Sequence, residues 1–266
     1  MFLFVLTACD NKQINLQDSD SSNGMSFSGK KIIDLSHAYS NETIYWVTAK
    51  EFKLETVFKG QTEKGFYYSA NNFSSAEHGG THIDAPIHFA KSGQSVDDIP
   101  ITKLIGSAIK IDITSKSLND PDYLITIDDF LKWEEDENSK IPDGSIILLE
   151  TGFSKYYPDK VTYMGTDERG ENAIQKLHFP GLSQQAAQWL VENSNINAIG
   201  IDTPSIDYGQ SEYFESHVIL LSHDIPAFEN LANLDTLPST GFTIIALPMK
   251  IKNGSGAPLR IVAIIN

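Results

Sequence analysis

The sequence predicts one domain of the mixed α/β (α+β) class, with a mixed β-sheet core and flanking helices. Strand-like segments rich in β-branched and aromatic residues recur along the chain, and amphipathic helical segments fall between some of them. The two kinds of segment do not alternate regularly, which argues against a doubly wound sheet. No linker, repeat or low-complexity tract interrupts residues 30–266, so we expect these residues to form a single domain.

Eight segments have the composition and pattern of strands, and turn signals such as Pro142-Asp143-Gly144 and Pro180-Gly181 separate several of them. No glycine-rich nucleotide-binding motif follows any of these segments. The predicted strands are Lys31–Leu35, Phe52–Phe58, Phe66–Phe73, Ala108–Ile113, Ser145–Glu150, Ala198–Ile201, Phe242–Leu247 and Leu259–Ile265.

Three segments are predicted to be helical. The first opens at Thr126 with a capping-type acid, and its apolar face contains Ile127, Phe130, Leu131 and Trp133. The other two run from about Ser183 to Asn193 and from about Glu212 to Ser222.

Composition excludes several functional classes. The 266 residues include 35 acidic and 20 basic side chains, for a formal net charge of −15. This charge opposes a phosphate backbone, so we expect no nucleic acid partner. A single cysteine rules out an intrachain disulfide and a multi-cysteine metal site. Any metal would therefore be held by histidine and carboxylate side chains.

The one cysteine lies near the start of the chain. The tetrapeptide Leu6-Thr7-Ala8-Cys9 resembles a bacterial lipobox, in which the cysteine is lipidated. No Lys or Arg precedes Cys9, whereas a secretory signal has a basic first region. We interpret residues 1–29 as a truncated lipoprotein signal followed by a flexible tether, with Cys9 as a lipid anchor outside the cytoplasm, in the periplasm or cell envelope. The alternative is translation from Met25, which would give a cytoplasmic protein.

One short segment carries most of the functional information. His78, His82, Asp84 and His88 are spaced by four, two and four residues. An extended segment would place all four side chains on one face, and a helical first turn would still bring His78 and His82 together. Three imidazoles within eleven residues are difficult to explain as core filling, because each buried ring needs a polar partner. The spacing therefore predicts a metal site.

Imidazole and carboxylate ligands suit a divalent ion, with zinc favoured and manganese the alternative. His78, His82 and Asp84 could fill three ligand positions and leave one open, as in catalytic sites. His88, beyond the rigid Pro86, is then the candidate general acid and base.

At this segment the chain resembles the cyclase family of metal-dependent hydrolases, which includes bacterial kynurenine formamidases (arylformamidases) and isatin hydrolases. The family signature His-x-Gly-Thr-His-x-Asp-x-Pro-x-His matches His78 to His88 at every specified position. The resemblance continues in Gly200 to Asp207, in His217 followed twelve residues later by Glu229, and in Ala246 to Lys252. It runs from about Ile32 to the end of the chain.

The resemblance implies a role for each matching position. His78, His82 and Asp84 would hold one metal ion, while Asp84, His217 and Glu229 would hold a second, giving one or two ions per subunit. His88 would be the proton shuttle. Trp46 is the nearest candidate for an aromatic residue that contacts the substrate. The resemblance also implies a homodimer or homotetramer.

Three functions follow from these observations. The first is hydrolysis of the amide carbon–nitrogen bond of a small substrate, as in an arylformamidase that converts N-formylkynurenine to kynurenine and formate. The second keeps the metal-dependent hydrolysis but opens a cyclic amide or lactone, as an isatin hydrolase does. The third is a non-catalytic, metal-binding surface lipoprotein.

Overall fold

Residues 29–265 of the chain are described by a computed structural model. All eight predicted strands form, with boundaries that shift by up to three residues, and four further short strands join them. The strands are β1 (Lys31–Asp34), β2 (Lys53–Gln61), β3 (Tyr67–Ser74), β4 (His82–Asp84), β5 (Ile105–Asp112), β6 (Leu124–Ile125), β7 (Ile146–Glu150), β8 (Gly181–Leu182), β9 (Ala198–Ile201), β10 (Ala227–Glu229), β11 (Phe242–Pro248) and β12 (Gly256–Ile265).

The three predicted helices also form, together with three short ones. At the start of the first, the Asp129 carboxylate accepts a hydrogen bond of 2.8 Å from the Thr126 backbone N–H, as the capping pattern predicts. Leu131 of that helix is exposed, which differs from its predicted place on the apolar face. The helices are α1 (Ile101–Leu104), α2 (Thr114–Ser117), α3 (Ile127–Asp136), α4 (Lys160–Met164), α5 (Gln184–Asn193) and α6 (Glu215–Ser222).

Eight strands form one sheet in the order β1-β12-β11-β5-β7-β9-β10-β4, and this sheet closes on itself. Its centre is parallel, from β5 through β7 and β9 to β10, whereas β4, β11 and β12 run antiparallel to their neighbours. Closure comes from the first residues of β12, where Gly256 pairs with Asp84 and Pro258 with His82 of β4. The mixed α/β fold class is therefore confirmed, and the core is a barrel rather than an open sheet.

Strand alternation divides the apolar core into two layers. Alternate side chains of the barrel strands, such as Leu148, Phe228 and Ile261, fill the interior. The opposite faces of β5, β7 and β9 pack against α3 and α5, through residues such as Phe130 and Leu190. Because the parallel strands are covered on both faces, they read as nearly continuous apolar runs.

Strands β2 and β3 form a separate two-stranded ribbon, which we call the β2–β3 ribbon. Large apolar side chains are exposed along it: Leu54, Val57, Phe58, Tyr67, Tyr68 and Phe73. An isolated two-stranded ribbon is marginally stable in water. Exposed apolar patches such as this one are typical of contact surfaces between proteins.

Within residues 29–265, no helix has the length and apolar character needed to cross a bilayer. The proposed anchor Cys9 and the alternative start Met25 lie outside the described residues, as does nearly all of the segment 1–29.

A buried histidine next to β1 gives the fold a pH dependence. The ring of His37 stacks on Tyr157 with centroids 3.7 Å apart. Burial lowers the pKa of the His37 imidazole to about 4, although the Asp34 carboxylate opposes this effect. In the unfolded chain the pKa is about 6.5, so between these values only the unfolded state binds the proton. The free energy of unfolding should therefore fall as the pH drops through this window, by roughly 1–2 kcal/mol at pH 5.

Urea unfolding of the metal-free protein at pH 7 and pH 5 tests this prediction. The variant His37→Phe keeps an aromatic ring against Tyr157 but cannot titrate, so its stability should depend less on pH than that of the wild type. Equal pH dependence in the two proteins would show that His37 is not responsible.

Candidate metal centre and active site

The candidate site is built on the antiparallel pair of β4 and β10. Glu229 lies directly opposite His82 in this pair. Ile83 and Phe228 point into the barrel, where both are fully buried. Because side chains alternate along a strand, those of His82, Asp84 and Glu229 project together from the outer surface of the barrel.

Helix α6 lies over this surface and contributes His217. The Asp207 carboxylate fixes the first turn of the helix by accepting hydrogen bonds from the backbone N–H groups of Ser216 (3.0 Å) and His217 (3.1 Å). The ring of His217 is thereby brought to the carboxylate of Asp84, with Nε2 2.9 Å from Oδ2. His217 is buried, rather than facing solvent on its helix.

His78 and His88 come from the segments on either side of β4. His78 lies in the preceding loop, with Nδ1 2.6 Å from Asp84 Oδ1. Pro86 opens a short 3₁₀ helix that ends at His88. The His88 ring stacks on the His78 ring, with centroids 3.8 Å apart and planes 18° apart. The four side chains of the motif therefore converge, but only residues 82–84 do so along a strand.

Five side chains form two overlapping groups of potential metal ligands. His78, His82 and Asp84 make one group, and Asp84, His217 and Glu229 make the other. Within each group the ligand atoms lie within 4.8 Å of one another. All five are buried except His78, which is partly exposed. Asp84 is shared, so the arrangement has room for one ion or for two ions bridged by this carboxylate.

Hydrogen bonds on the far side of the rings show that a cation fits between them. His82 Nδ1–H donates to the Gly80 carbonyl at 2.9 Å, and His217 Nδ1–H donates to Asp207 at 2.6 Å. A neutral imidazole with its proton on Nδ1 carries a lone pair on Nε2. Each Nε2 faces carboxylate oxygens: that of His82 lies 3.1 Å from Asp84, and that of His217 lies 3.1 Å from Glu229. Lone pairs facing carboxylates repel unless a proton or a metal ion lies between them.

The pKa shifts of the candidate ligands also indicate a site for a cation. Burial opposes a charge on His82 and His217, but hydrogen bonds to neighbouring carboxylates raise the pKa of both rings, that of His217 well above its usual range. Burial would raise the pKa of Asp84, yet the surrounding imidazoles hold it well below its ordinary value. The centre therefore keeps its carboxylates ionised and attracts positive charge.

His88 differs from the other rings of the centre. Burial lowers its pKa to about 4, although the Asp84 carboxylate opposes this. Among the described residues, no side chain or backbone group hydrogen-bonds to the nitrogens of the His88 ring. The ring is thus a neutral base at physiological pH, held by stacking on His78 and by an edge-to-face contact with Phe89, and both nitrogens are available to exchange a proton with a bound molecule.

A cavity of about 280 Å³ opens onto this centre. Aromatic rings line it beside His217: Phe89 lies 4.8 Å from the His217 ring and 5.4 Å from Phe214, which meets Trp46 edge to face at 6.0 Å. Phe214 has a left-handed backbone, with φ of 51°, which is uncommon for a bulky residue. Within residues 29–265, no Lys or Arg lines the cavity. The site therefore combines buried carboxylates and imidazoles with an apolar, aromatic wall.

All the site residues singled out in the sequence, other than Cys9, surround this cavity. Trp46 lies in its wall, although it also packs against Phe179 of a separate apolar cluster. No pattern in the sequence identified Asp207, Phe89 or Phe214 as site residues. Asp207 lies within the Gly200–Asp207 motif, which was the one available signal for it. The two phenylalanines carry no local signal that separates them from core residues.

The remaining histidines lie elsewhere. His178 is exposed and pairs with Asp122 at 2.8 Å, while His223 caps the end of α6 through the Ile219 carbonyl. His37 lies against Tyr157, outside the lining of this cavity.

Comparison with known proteins agrees with this geometry. A family profile described as putative cyclase matches residues 33–208. The isatin hydrolase of Roseibium aggregatum is 31% identical over 209 residues, which cover 76% of each chain. The kynurenine formamidase of Bacillus cereus is 26% identical over 233 residues, covering 86% of this chain and 95% of that protein.

Solved structures show the same fold. Isatin hydrolase A from Labrenzia aggregata, bound to benzyl benzoate, superposes with a TM-score of 0.80 at 31% identity and covers 89% of this chain and 94% of its own. An isatin hydrolase bound to the product analogue thioisatinate gives a TM-score of 0.81 at 27% identity, covering 89% and 92%. These relatives are hydrolases, and the resemblance extends over nearly all of the described chain.

The contacts of Asp207 lead to a testable prediction. The variant Asp207→Asn removes the charge that holds both the His217 ring and the start of α6, so zinc should bind about 10–100-fold more weakly. Competition with a chromophoric chelator measures this affinity. Asp159→Asn is the matched control, because Asp159 is an exposed carboxylate that caps α4 through the Thr162 N–H and does not line the cavity. Equal zinc affinity in Asp207→Asn and the wild type would contradict a role for Asp207 in holding His217.

Proposed function

Because this chain belongs to the cyclase family, we propose that it is a metal-dependent hydrolase that cleaves the amide carbon–nitrogen bond of a compact aromatic substrate. The main support for this proposal is the arrangement of side chains at the cavity. A cluster of three imidazoles and two carboxylates borders an aromatic cavity, beside a neutral histidine whose ring nitrogens have no hydrogen-bond partner among the described residues.

The ligand set suits zinc or manganese, since both bind imidazole and carboxylate. His78, His82 and Asp84 would hold one ion, and Asp84, His217 and Glu229 a second. When bound, the ion polarises the substrate carbonyl and lowers the pKa of a water molecule towards neutrality. The buried carboxylates offset the charge of the ions, and Asp207 keeps the His217 ring turned towards them.

His88 moves the proton. Its position over His78 places it at the edge of the ligand cluster and in the wall of the cavity. As a neutral base it accepts a proton from the attacking water, whose oxygen bonds to the carbonyl carbon. It then returns that proton to the amide nitrogen as the carbon–nitrogen bond breaks. The products are a carboxylic acid and an amine.

The lining of the cavity favours a cyclic aromatic amide such as isatin. N-formylkynurenine carries an α-carboxylate, which would need a cationic partner once removed from water. Among the described lining residues there is no Lys or Arg, and the nearest charged groups are the carboxylates Asp84 and Glu229. The aromatic residues Trp46, Phe89 and Phe214 instead suit a flat, uncharged ring. The arylformamidase reaction remains the second candidate, supported by the kynurenine formamidase relatives.

Turnover measurements test the proposal. Protein loaded with zinc or manganese should hydrolyse isatin faster than N-formylkynurenine and should lose activity when the metal is chelated. His82→Ala should lose both metal and activity. His88→Ala should keep the metal but lower kcat by about 100-fold or more, because proton transfer by a positioned group contributes this much.

The matched control is His178→Ala. His178 is exposed and lies away from the cavity, so this variant should retain full activity. Faster turnover of N-formylkynurenine would establish the arylformamidase alternative. Tight metal binding without hydrolysis of any amide, ester or lactone would instead support a non-catalytic metal-binding protein.

We also propose that the chain forms a homodimer or homotetramer through the β2–β3 ribbon. Both faces of the ribbon are exposed, and it carries Val57, Tyr67 and Phe73 with half or more of their surface open to solvent. Apolar patches of this kind mark contact surfaces between proteins. A second copy of the chain, with the same ribbon, would cover them in a symmetric contact.

Light scattering after size exclusion should give a mass of two or four chains. Val57→Asp places a charge on the ribbon and should lower this mass, whereas Val161→Asp, at an exposed position of α4, should leave it unchanged. A monomeric wild type at micromolar concentration would contradict the proposal.

A further inference from the structure

His78 is held differently from the other two imidazoles of the centre. Its side chain is 22% exposed, whereas those of His82 and His217 are 3% and 4% exposed. Neither a backbone carbonyl nor a carboxylate fixes its outer nitrogen. Instead, His78 Nε2 lies 2.9 Å from the hydroxyl oxygen of Ser255, in the loop between β11 and β12.

The hydroxyl of Ser255 has a defined direction. It donates its one hydrogen to Glu77 Oε2 at 2.6 Å. Its oxygen can therefore only accept from His78, so the imidazole carries its proton on Nε2. The lone pair of the ring is then on Nδ1, which points at Asp84 Oδ1 from 2.6 Å. The hydrogen bonds therefore run in one direction: His78 Nε2–H donates to the Ser255 hydroxyl, and that hydroxyl donates to Glu77.

The loop that carries Ser255 is built against this ring. Glu77 Oε2 also accepts the Ser255 backbone N–H at 3.1 Å, and the Ser255 carbonyl accepts from the N–H of Ala85, directly after β4. A Cβ atom added at Gly256 would lie 2.5 Å from Cε1 of His78. The His78 ring therefore lies between the Ser255 hydroxyl and the Gly256 backbone, with no space for a side chain at position 256.

We propose that Ser255 and Glu77 are positioning residues that fix the orientation and tautomer of His78, so that Nδ1 becomes the metal-ligating atom of the His78, His82 and Asp84 group. This inference rests on the metal site of the proposed function but not on its substrate. Partners of this kind, which hold the second nitrogen of a ligating imidazole, typically change metal affinity by 10–100-fold.

Two measurements on the full-length protein test the proposal. Chelator competition should show that Ser255→Ala binds zinc 10–100-fold more weakly than the wild type. Glu77→Ala should lose less affinity than Ser255→Ala. Ser255→Thr, which restores the hydroxyl, should bind zinc nearly as tightly as the wild type. The control is Ser145→Ala, because Ser145 is a buried serine whose hydroxyl has no hydrogen-bond partner among the described residues and does not line the cavity. It should bind zinc like the wild type.

The ¹⁵N spectrum of the histidine rings provides a readout that a general loss of stability would not reproduce. In zinc-loaded wild type, the His78 ring should show a protonated Nε2 and a ligating Nδ1, and this pattern should be lost in Ser255→Ala. An unchanged pattern and an affinity within twofold of the wild type in both Ser255→Ala and Glu77→Ala would overturn the proposal. Zinc binding that follows the predicted order without any hydrolysis would leave this inference standing and refute the proposed function.

Discussion

The pairing of β4 with β10 is the constraint on which the site depends. It places Glu229 opposite His82 and directs both side chains, together with Asp84, to the outer surface of the barrel. Strand β4 is only three residues long, and it is held between β10 on one side and the start of β12 on the other. Closure of the barrel therefore holds the ligand-bearing strand in register, because a shift of one residue would turn His82 and Asp84 into the interior.

Buried negative charge explains much of what surrounds that strand. Asp84, Asp207 and Glu229 are nearly inaccessible to solvent, and an unpaired buried carboxylate is costly. The chain surrounds them with donors, such as the backbone N–H of Ile206, which reaches Glu229 at 2.7 Å. Glu229 Oε1, which accepts this N–H, also lies 3.1 Å from His217 Nε2, and both oxygens of Asp84 lie within 3.1 Å of imidazole nitrogens. Buried carboxylates that face imidazole lone pairs in this way are suited to bind a cation.

The cavity brings aromatic side chains into contact with the candidate ligands. The ligand cluster, His88 and the rings of Trp46, Phe89 and Phe214 all line it, and Phe89 lies 4.5 Å from His88 and 4.8 Å from His217. The left-handed backbone of Phe214 lies just before α6, so the same turn presents this aromatic ring to the cavity and starts the helix that carries His217. An aromatic lining residue and a candidate ligand are therefore positioned by neighbouring residues of one segment.

The sequence by itself predicted the fold class, eight of the strands and the three main helices, which the structure confirms, because these depend on local periodicity. The spacing of His78, His82, Asp84 and His88 also predicted a metal site, whereas His217 and Glu229 became candidate ligands only through the family resemblance. Only the tertiary structure decided the closure of the barrel and the short strands β4 and β10, since three residues are too few to show a pattern. It also decided the contacts of Asp207, Phe214 and Ser255, because each meets the site across a distance in sequence that no local spacing records. Residue types define what the site can bind, and long-range pairing defines where those residues meet.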